Sequence, residues 1–187
     1  MNNLFVLSID VGITNLGYVF ANIDEDVTVI NCGKVNIKNV THDTVNPNEC
    51  CLHHDNCIPD YLDHFIQNHK SMFDTAELII IERQPPVGGI TNVQDLLFKL
   101  FRERVLLISP RSVHSYFNMS KSYDTRKIQS ERIAKEYLEP FKSFTDIARK
   151  HDISDAMLMI LYYKSTIKKK TPEQFDLNFE RFRFYKT

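Results

Sequence analysis

Three β-prone runs succeed one another near the start of the chain, at about 4 to 9, 16 to 23 and 27 to 37, and so close a succession reads as an antiparallel meander. The first reversal is the most constrained. Val6 to Ile9 is apolar, Gly12 and Asn15 supply turn chemistry, and Leu16 to Phe20 is apolar and aromatic again, so a hairpin sets Asp10 beside its partner strand. After a loop at 38–56, rich in Asn, Thr, His and Cys, the pattern changes to helix alternating with strand. A helix at about 59 to 72 has Tyr61, Leu62, Phe65 and Ile66 at helical spacing, and a strand follows at 78 to 82. The next helix, 91 to 104, carries an apolar stripe of Val93, Leu96, Leu97, Leu100 and Phe101, and a strand at 105 to 109 succeeds it. A short helix at 112 to 117, a longer one at 124 to 139 closed before Pro140, and a last one at 154 to 166 complete the pattern, leaving 171–187 as a basic tail or short helix. The expected fold is α/β, a mixed five-stranded sheet flanked by helices, in a single domain over residues 1–187.

Acids stand where these elements end. Asp10 closes the first run before a glycine turn, a place where Asp is also an ordinary turn former. Glu82 closes Ile79-Ile-Ile-Glu82, and Pro85 and Pro86 soon after it cannot continue a ladder. Asp152 and Asp155 open the amphipathic stretch His151-Asp-Ile-Ser-Asp155-Ala; three residues apart, they share one helix face at its positive end. That pair alone also reads as simple capping. Taken together, four acids from two strand ends and one helix start are what a two-metal site needs: hard oxygen ligands converging from rigid elements on Mg²⁺ or Mn²⁺ ions about 4 Å apart.

Three segments carry a family resemblance: Asp10-Val-Gly12-x-x-Asn15-x-Gly17-Tyr18, the strand ending in Glu82-Arg-Gln, and the late His151-Asp-x-x-Asp155-Ala helix. They resemble the RNase H-like nuclease superfamily, specifically the RuvC-type Holliday junction resolvases and among them the poxvirus family. The resemblance runs from Leu4 to about Tyr163, in the family's order and spacing. It implies an RNase H-like fold and a Mg²⁺-dependent endodeoxyribonuclease that resolves four-way DNA junctions by paired symmetric nicks. Carried over by position, Asp10, Glu82, Asp152 and Asp155 are the catalytic, metal-binding acids, holding two Mg²⁺ per site with Mn²⁺ able to substitute. A basic catalytic residue is also implied between the second and third acids, after a strand ending in Ser-Pro. Leu106 to Pro110 is that strand, and Lys127 is the assignment, with Lys121 and Arg126 as neighbours able to serve instead. A homodimer, branched DNA as partner, no small-molecule cofactor, and viral genome concatemer resolution, recombination and repair in the host cytoplasm are the remaining implications.

Composition fits this reading through distribution. Net charge is only −1, yet Lys164 to Lys170 and Arg181 to Lys186 make a basic C-terminal face, and Lys99, Arg102, Arg104, Arg111, Lys121, Arg126 and Lys127 add charge mid-chain. Such runs either contact phosphates or are merely solvated. No 18-residue apolar segment is present, so no membrane partner is expected, and the N-terminus leads straight into a strand without the features of a signal peptide. The expected compartment is a reducing one, where disulfides do not persist. Cys50, Cys51, His53, His54 and Cys57 are dense in soft ligands, but their spacing matches no zinc pattern and a plain loop is preferred. Cys32 reads as an inert buried thiol.

Cutting two strands symmetrically about a four-way junction needs two sites related by a twofold, and the apolar helix 91–104 serves either the core or that dimer interface. Other functions leave specific marks. A ribonuclease H acting on RNA:DNA hybrids would keep the fold and need 2′-hydroxyl contacts. A sugar-kinase or actin-like domain shares an Asp-x-Gly first strand but needs a duplicated domain and phosphate loops, for which 187 residues and five glycines leave no room. A DNA-binding scaffold would not require the acids.

Overall fold

The computed structural model describes residues 3–39, 57–85 and 92–167. Five strands form one sheet: β1 (Leu4–Asp10), β2 (Leu16–Ile23), β3 (Val27–Val35), β4 (Leu78–Glu82) and β5 (Val105–Ile108), in the order β3-β2-β1-β4-β5. The meander β1-β2-β3 is antiparallel, whereas β4 and β5 run parallel to β1, so the sheet is mixed as expected.

Helices cover both sides. On one side lie α1 (Ile58–Asn68), α2 (Lys70–Thr75) and α3 (Asn92–Leu100), which carry the chain across to β4 and then to β5. On the other lie α4 (Pro110–Tyr116), α5 (Tyr123–Leu138), α6 (Lys142–Thr145) and α7 (His151–Tyr162). Strand side chains alternate between the two. Leu7, Ile9, Leu16, Phe20, Ile79 and Ile81 meet Leu62, Phe65, Phe73 and Leu97 of α1–α3, while Val6, Val19, Ala21 and Ile80 meet Ala134, Leu138, Ile153 and Met157 of α5 and α7. Helix α7 is apolar nearly all round because it lies between the sheet and α5.

Several element ends differ from the sequence reading. Strand β3 stops at Val35, because Asn36 folds back so that its side-chain oxygen accepts from the Lys38 amide, and a 3₁₀ turn (Ile37–Asn39) takes the first residues of the expected loop. The helix expected over 59–72 is two helices broken at His69, whose ring and amide both bond the Phe65 carbonyl. The helix expected over 91–104 ends at Leu100, with a 3₁₀ turn (Arg102–Arg104) after it. The last helix begins at His151 rather than Ser154, since the Lys150 carbonyl already accepts from both the amide and the hydroxyl of Ser154; Asp152 therefore lies inside the first turn and does not cap it. Beyond Tyr162 the winding loosens to a π turn (Tyr163–Ile167). The expected loop residues 40–56 and tail 171–187 lie outside the described residues.

Candidate active site

Asp10 and Glu82 leave the ends of neighbouring parallel strands, where Ile9 pairs with Ile81. Alternation decides which way they point: with Ile9 and Ile81 committed to the α1 side, Asp10 and Glu82 fall to the α7 side. Across the hairpin Asp10 stands opposite Gly17. A Cβ at Gly17 would lie 2.2 Å from the Asp152 carbonyl oxygen, so the missing side chain is what allows the first turn of α7 to rest on β2. That contact delivers Asp152 and Asp155 to the strand ends where Asp10 and Glu82 emerge.

The four carboxylates act on one another. Burial, a hydrogen bond that the protonated Asp10 carboxyl donates to the Glu82 side chain, and the charges of Glu82, Asp155 and Asp152 hold Asp10 well above the usual carboxylate range. Two carboxyl groups can hydrogen-bond only by sharing a proton. Asp155 is pushed up to about 7, first by burial and then by Glu82 and Asp152, against the opposing influence of the Ser130 hydroxyl and Arg126. Asp152 has a different partner: Arg149 donates from Nε to Oδ2 at 2.7 Å and from Nη2 to Oδ1 at 3.0 Å. His151 stands 3.5 Å from the same Oδ1 and 3.8 Å from Glu131, and burial lowers its pKa.

Among the described residues, no three His, Cys, Asp or Glu side chains form a ready-made ion cage. Asp10 is tied to Glu82, and Asp152 is held by Arg149. The donor set nevertheless fits a hard divalent cation: oxygens only, from β1, β4 and α7, under a mutual repulsion that a cation relieves. A cleft of about 30 Å³ opens between Glu82, Asp155 and His114.

Cations ring the acids. Lys127, on α5, rests its ammonium 3.9 Å from the Tyr123 ring centroid and acts electrostatically on His151, next to Asp152. Arg126 donates to the Lys121 carbonyl at 2.8 Å and acts on both Asp155 and His114. Sequence reasoning missed Arg149, although its i,i+3 spacing to Asp152 was readable. It also missed His114 and Ser130, which no local pattern marks, because their place depends on how α4 and α5 pack on α7.

Other sequence features sit elsewhere. Cys32 is buried as expected, 3.4 Å from the Ser143 hydroxyl, and burial pushes its thiol up. Cys57 is exposed at the head of α1, and Cys50, Cys51, His53 and His54 lie outside the described residues. Of the α3 stripe, Val93 and Leu97 are core and Leu100 is exposed. Lys164 pairs with Asp26 at 3.4 Å.

No protein-family model and no curated protein matches this sequence. Solved structures do match it. The fowlpox virus resolvase in complex with Holliday junction DNA superposes with a TM-score of 0.64 at 16% identity, covering 89% of this chain and 100% of that one. The yeast mitochondrial Holliday junction resolvase Ydc2 gives 0.58 at 21% identity over 87% of this chain and 81% of its own. RuvC from T. thermophilus, bound to a Holliday junction substrate, gives 0.51 at 12% identity over 88% and 96%. At these identities the likeness is one of fold, and this chain has the RNase H-like fold of the RuvC-type Holliday junction resolvases.

Proposed function

We propose that this protein is a divalent-metal-dependent endonuclease that resolves four-way DNA junctions by paired, symmetric nicks. The observation that carries the reading is the convergence of Asp10, Glu82, Asp152 and Asp155 at the ends of the inner strands β1 and β4. It is supported by the fold shared with proteins solved as junction resolvases. Asp10, Glu82, Asp152 and Asp155 would hold two Mg²⁺, with Mn²⁺ as a substitute. When bound, the ions would supply an activated water in line with the phosphorus and stabilise the leaving 3′ oxygen, giving 5′-phosphate and 3′-hydroxyl ends. Lys127, moved off the Tyr123 ring, would neutralise the charge building on the phosphate.

Branch recognition would rest on backbone contacts and shape rather than base edges. Paired nicks of like polarity require two identical sites, so the active species would be a twofold homodimer. The resemblance of the motifs to the poxvirus enzymes makes genome concatemer resolution and recombination in the host cytoplasm the setting we assign.

The test is direct. Purified protein with Mg²⁺ or Mn²⁺ is expected to nick synthetic four-way junctions in symmetric pairs near the branch and leave linear duplex nearly untouched. An RNA:DNA hybrid cut far faster than the junction would make the protein a ribonuclease H instead.

A further inference from the structure

Arg149 lies in the irregular segment between α6 and α7, so no helix fixes its backbone. Its guanidinium engages both oxygens of Asp152, at 2.7 and 3.0 Å, so one lone pair of each is taken and a positive charge already stands where a metal ion would approach. The two partners differ in burial: the Asp152 side chain is 5% exposed and that of Arg149 is 43% exposed. A carboxylate so enclosed needs a compensating charge. The arm that provides it stands open to solvent and can withdraw without leaving a charge of its own buried. Asp10 also acts on Arg149 electrostatically, so this cation answers the cluster and not one acid alone. The planar fork that fits two carboxylate oxygens fits two phosphate oxygens equally well.

Resting on the metal-nuclease reading above, we propose that Arg149 is the resident counter-ion of the acid cluster: it yields Asp152 to an incoming divalent cation and then grips the phosphodiester to be cut. Metal loading and DNA grip are thereby joined in one side chain. Before loading, the guanidinium neutralises Asp152; after it, the same group becomes a free cation at the mouth of the site.

The experiment measures Mn²⁺ binding to the full chain without DNA, by electron paramagnetic resonance, for wild type, Arg149→Gln, Arg149→Lys and Asp10→Asn. With its competitor gone, Arg149→Gln is expected to bind Mn²⁺ about tenfold tighter, on the scale of one charged hydrogen bond. Arg149→Lys, which keeps the charge but cannot clamp both oxygens, should fall between it and wild type and guards against a glutamine variant that does not fold. At saturating Mn²⁺, single-turnover cleavage of a four-way junction should drop in Arg149→Gln and recover in part in Arg149→Lys. If wild type binds Mn²⁺, Asp10→Asn does not, and both Arg149 variants bind no tighter than wild type, the counter-ion role is wrong while the metal site stands. Unchanged cleavage by Arg149→Gln would remove the phosphate grip. Absence of Mn²⁺ binding in every form would overturn the metal reading and this one with it.

Discussion

The two faces of the sheet are built from alternate residues of the same strands, and they bear opposite burdens. Towards α1–α3 the strands present Leu7, Ile9, Leu16, Tyr18, Phe20, Ile79 and Ile81, packed on an aromatic series in which Phe65 meets Phe73 at 5.8 Å and Phe73 meets Phe101 at 5.1 Å. Towards α7 they present Val6, Val19 and Ile80 but also Ser8, whose buried hydroxyl has no hydrogen-bond partner among the described residues, then Gly17, Asp10 and Glu82. One face therefore stabilises, and the other tolerates groups that folding alone would not choose. A period of two is enough to separate them.

The sharpest way to break this contrast is at the acids. Asp10→Asn, Glu82→Gln, Asp152→Asn and Asp155→Asn are each expected to cut junction cleavage by roughly a thousandfold or more, while gel-shift binding of the junction persists because phosphates are held mainly elsewhere. Metal-free Asp10→Asn should also melt at a higher temperature than wild type, since it relieves a carboxylate pair forced to share a proton. A normal turnover rate in the Asp10, Glu82 or Asp152 variant would take that residue out of the site.

On the opposite face the effects should reverse. Phe65 is fully buried between Tyr18, His69 and Phe73. Phe65→Ala is expected to cost about 3–5 kcal/mol in urea unfolding and to leave the cleavage rate unchanged at temperatures where the variant is folded. Lost activity in folded Phe65→Ala would mean that the two faces are not independent.

This division explains what could be read from the chain and what could not. The strands were legible because alternation, turn glycines and β-branched runs are local signals; Leu16–Ile23 and Leu78–Glu82 fall where the pattern put them. Helix ends were less so. The break at His69 and the early start at His151 depend on side chains turning to backbone carbonyls, and α6 is too short to show periodicity. The acids stood out because Asp10 and Glu82 each end an apolar run and Asp152 and Asp155 open one. Their cations did not: Lys127 and Arg126 were reached only through the family resemblance, and Arg149 looks like any solvated charge until packing sets it beside Asp152.

A smaller effect probes how the faces are joined. Alanine is ordinarily a better strand residue than glycine, yet Gly17→Ala would press a methyl group into the Asp152 backbone. The expected cost is about 1–3 kcal/mol, with Mn²⁺ affinity falling as α7 shifts and takes Asp152 and Asp155 with it. A stabilised variant with normal metal binding would show that α7 does not depend on this contact.

The smallest expected effect is a slope with pH, and its sign follows from the same cluster. Asp155 titrates at about 7 in the folded protein against an ordinary 3.8, so between those values the native state holds a proton that the unfolded chain has released. Its contribution to stability is present at low pH and is lost as pH rises through about 7; Asp10 acts in the same direction. Burial of His69, His114 and His151 lowers their pKa values and works the other way, adding stability as pH rises through their unfolded value of 6.5. Comparison of variants separates the two. In metal-free protein followed by circular dichroism, Asp155→Asn should lose stability less steeply than wild type between pH 5 and 7, whereas Phe65→Ala should lower the whole curve without changing its slope. Parallel curves for wild type and Asp155→Asn would mean that Asp155 is ionised like an ordinary surface acid, and the strain assigned to the α7 face would then have to lie in Asp10 and Glu82 alone.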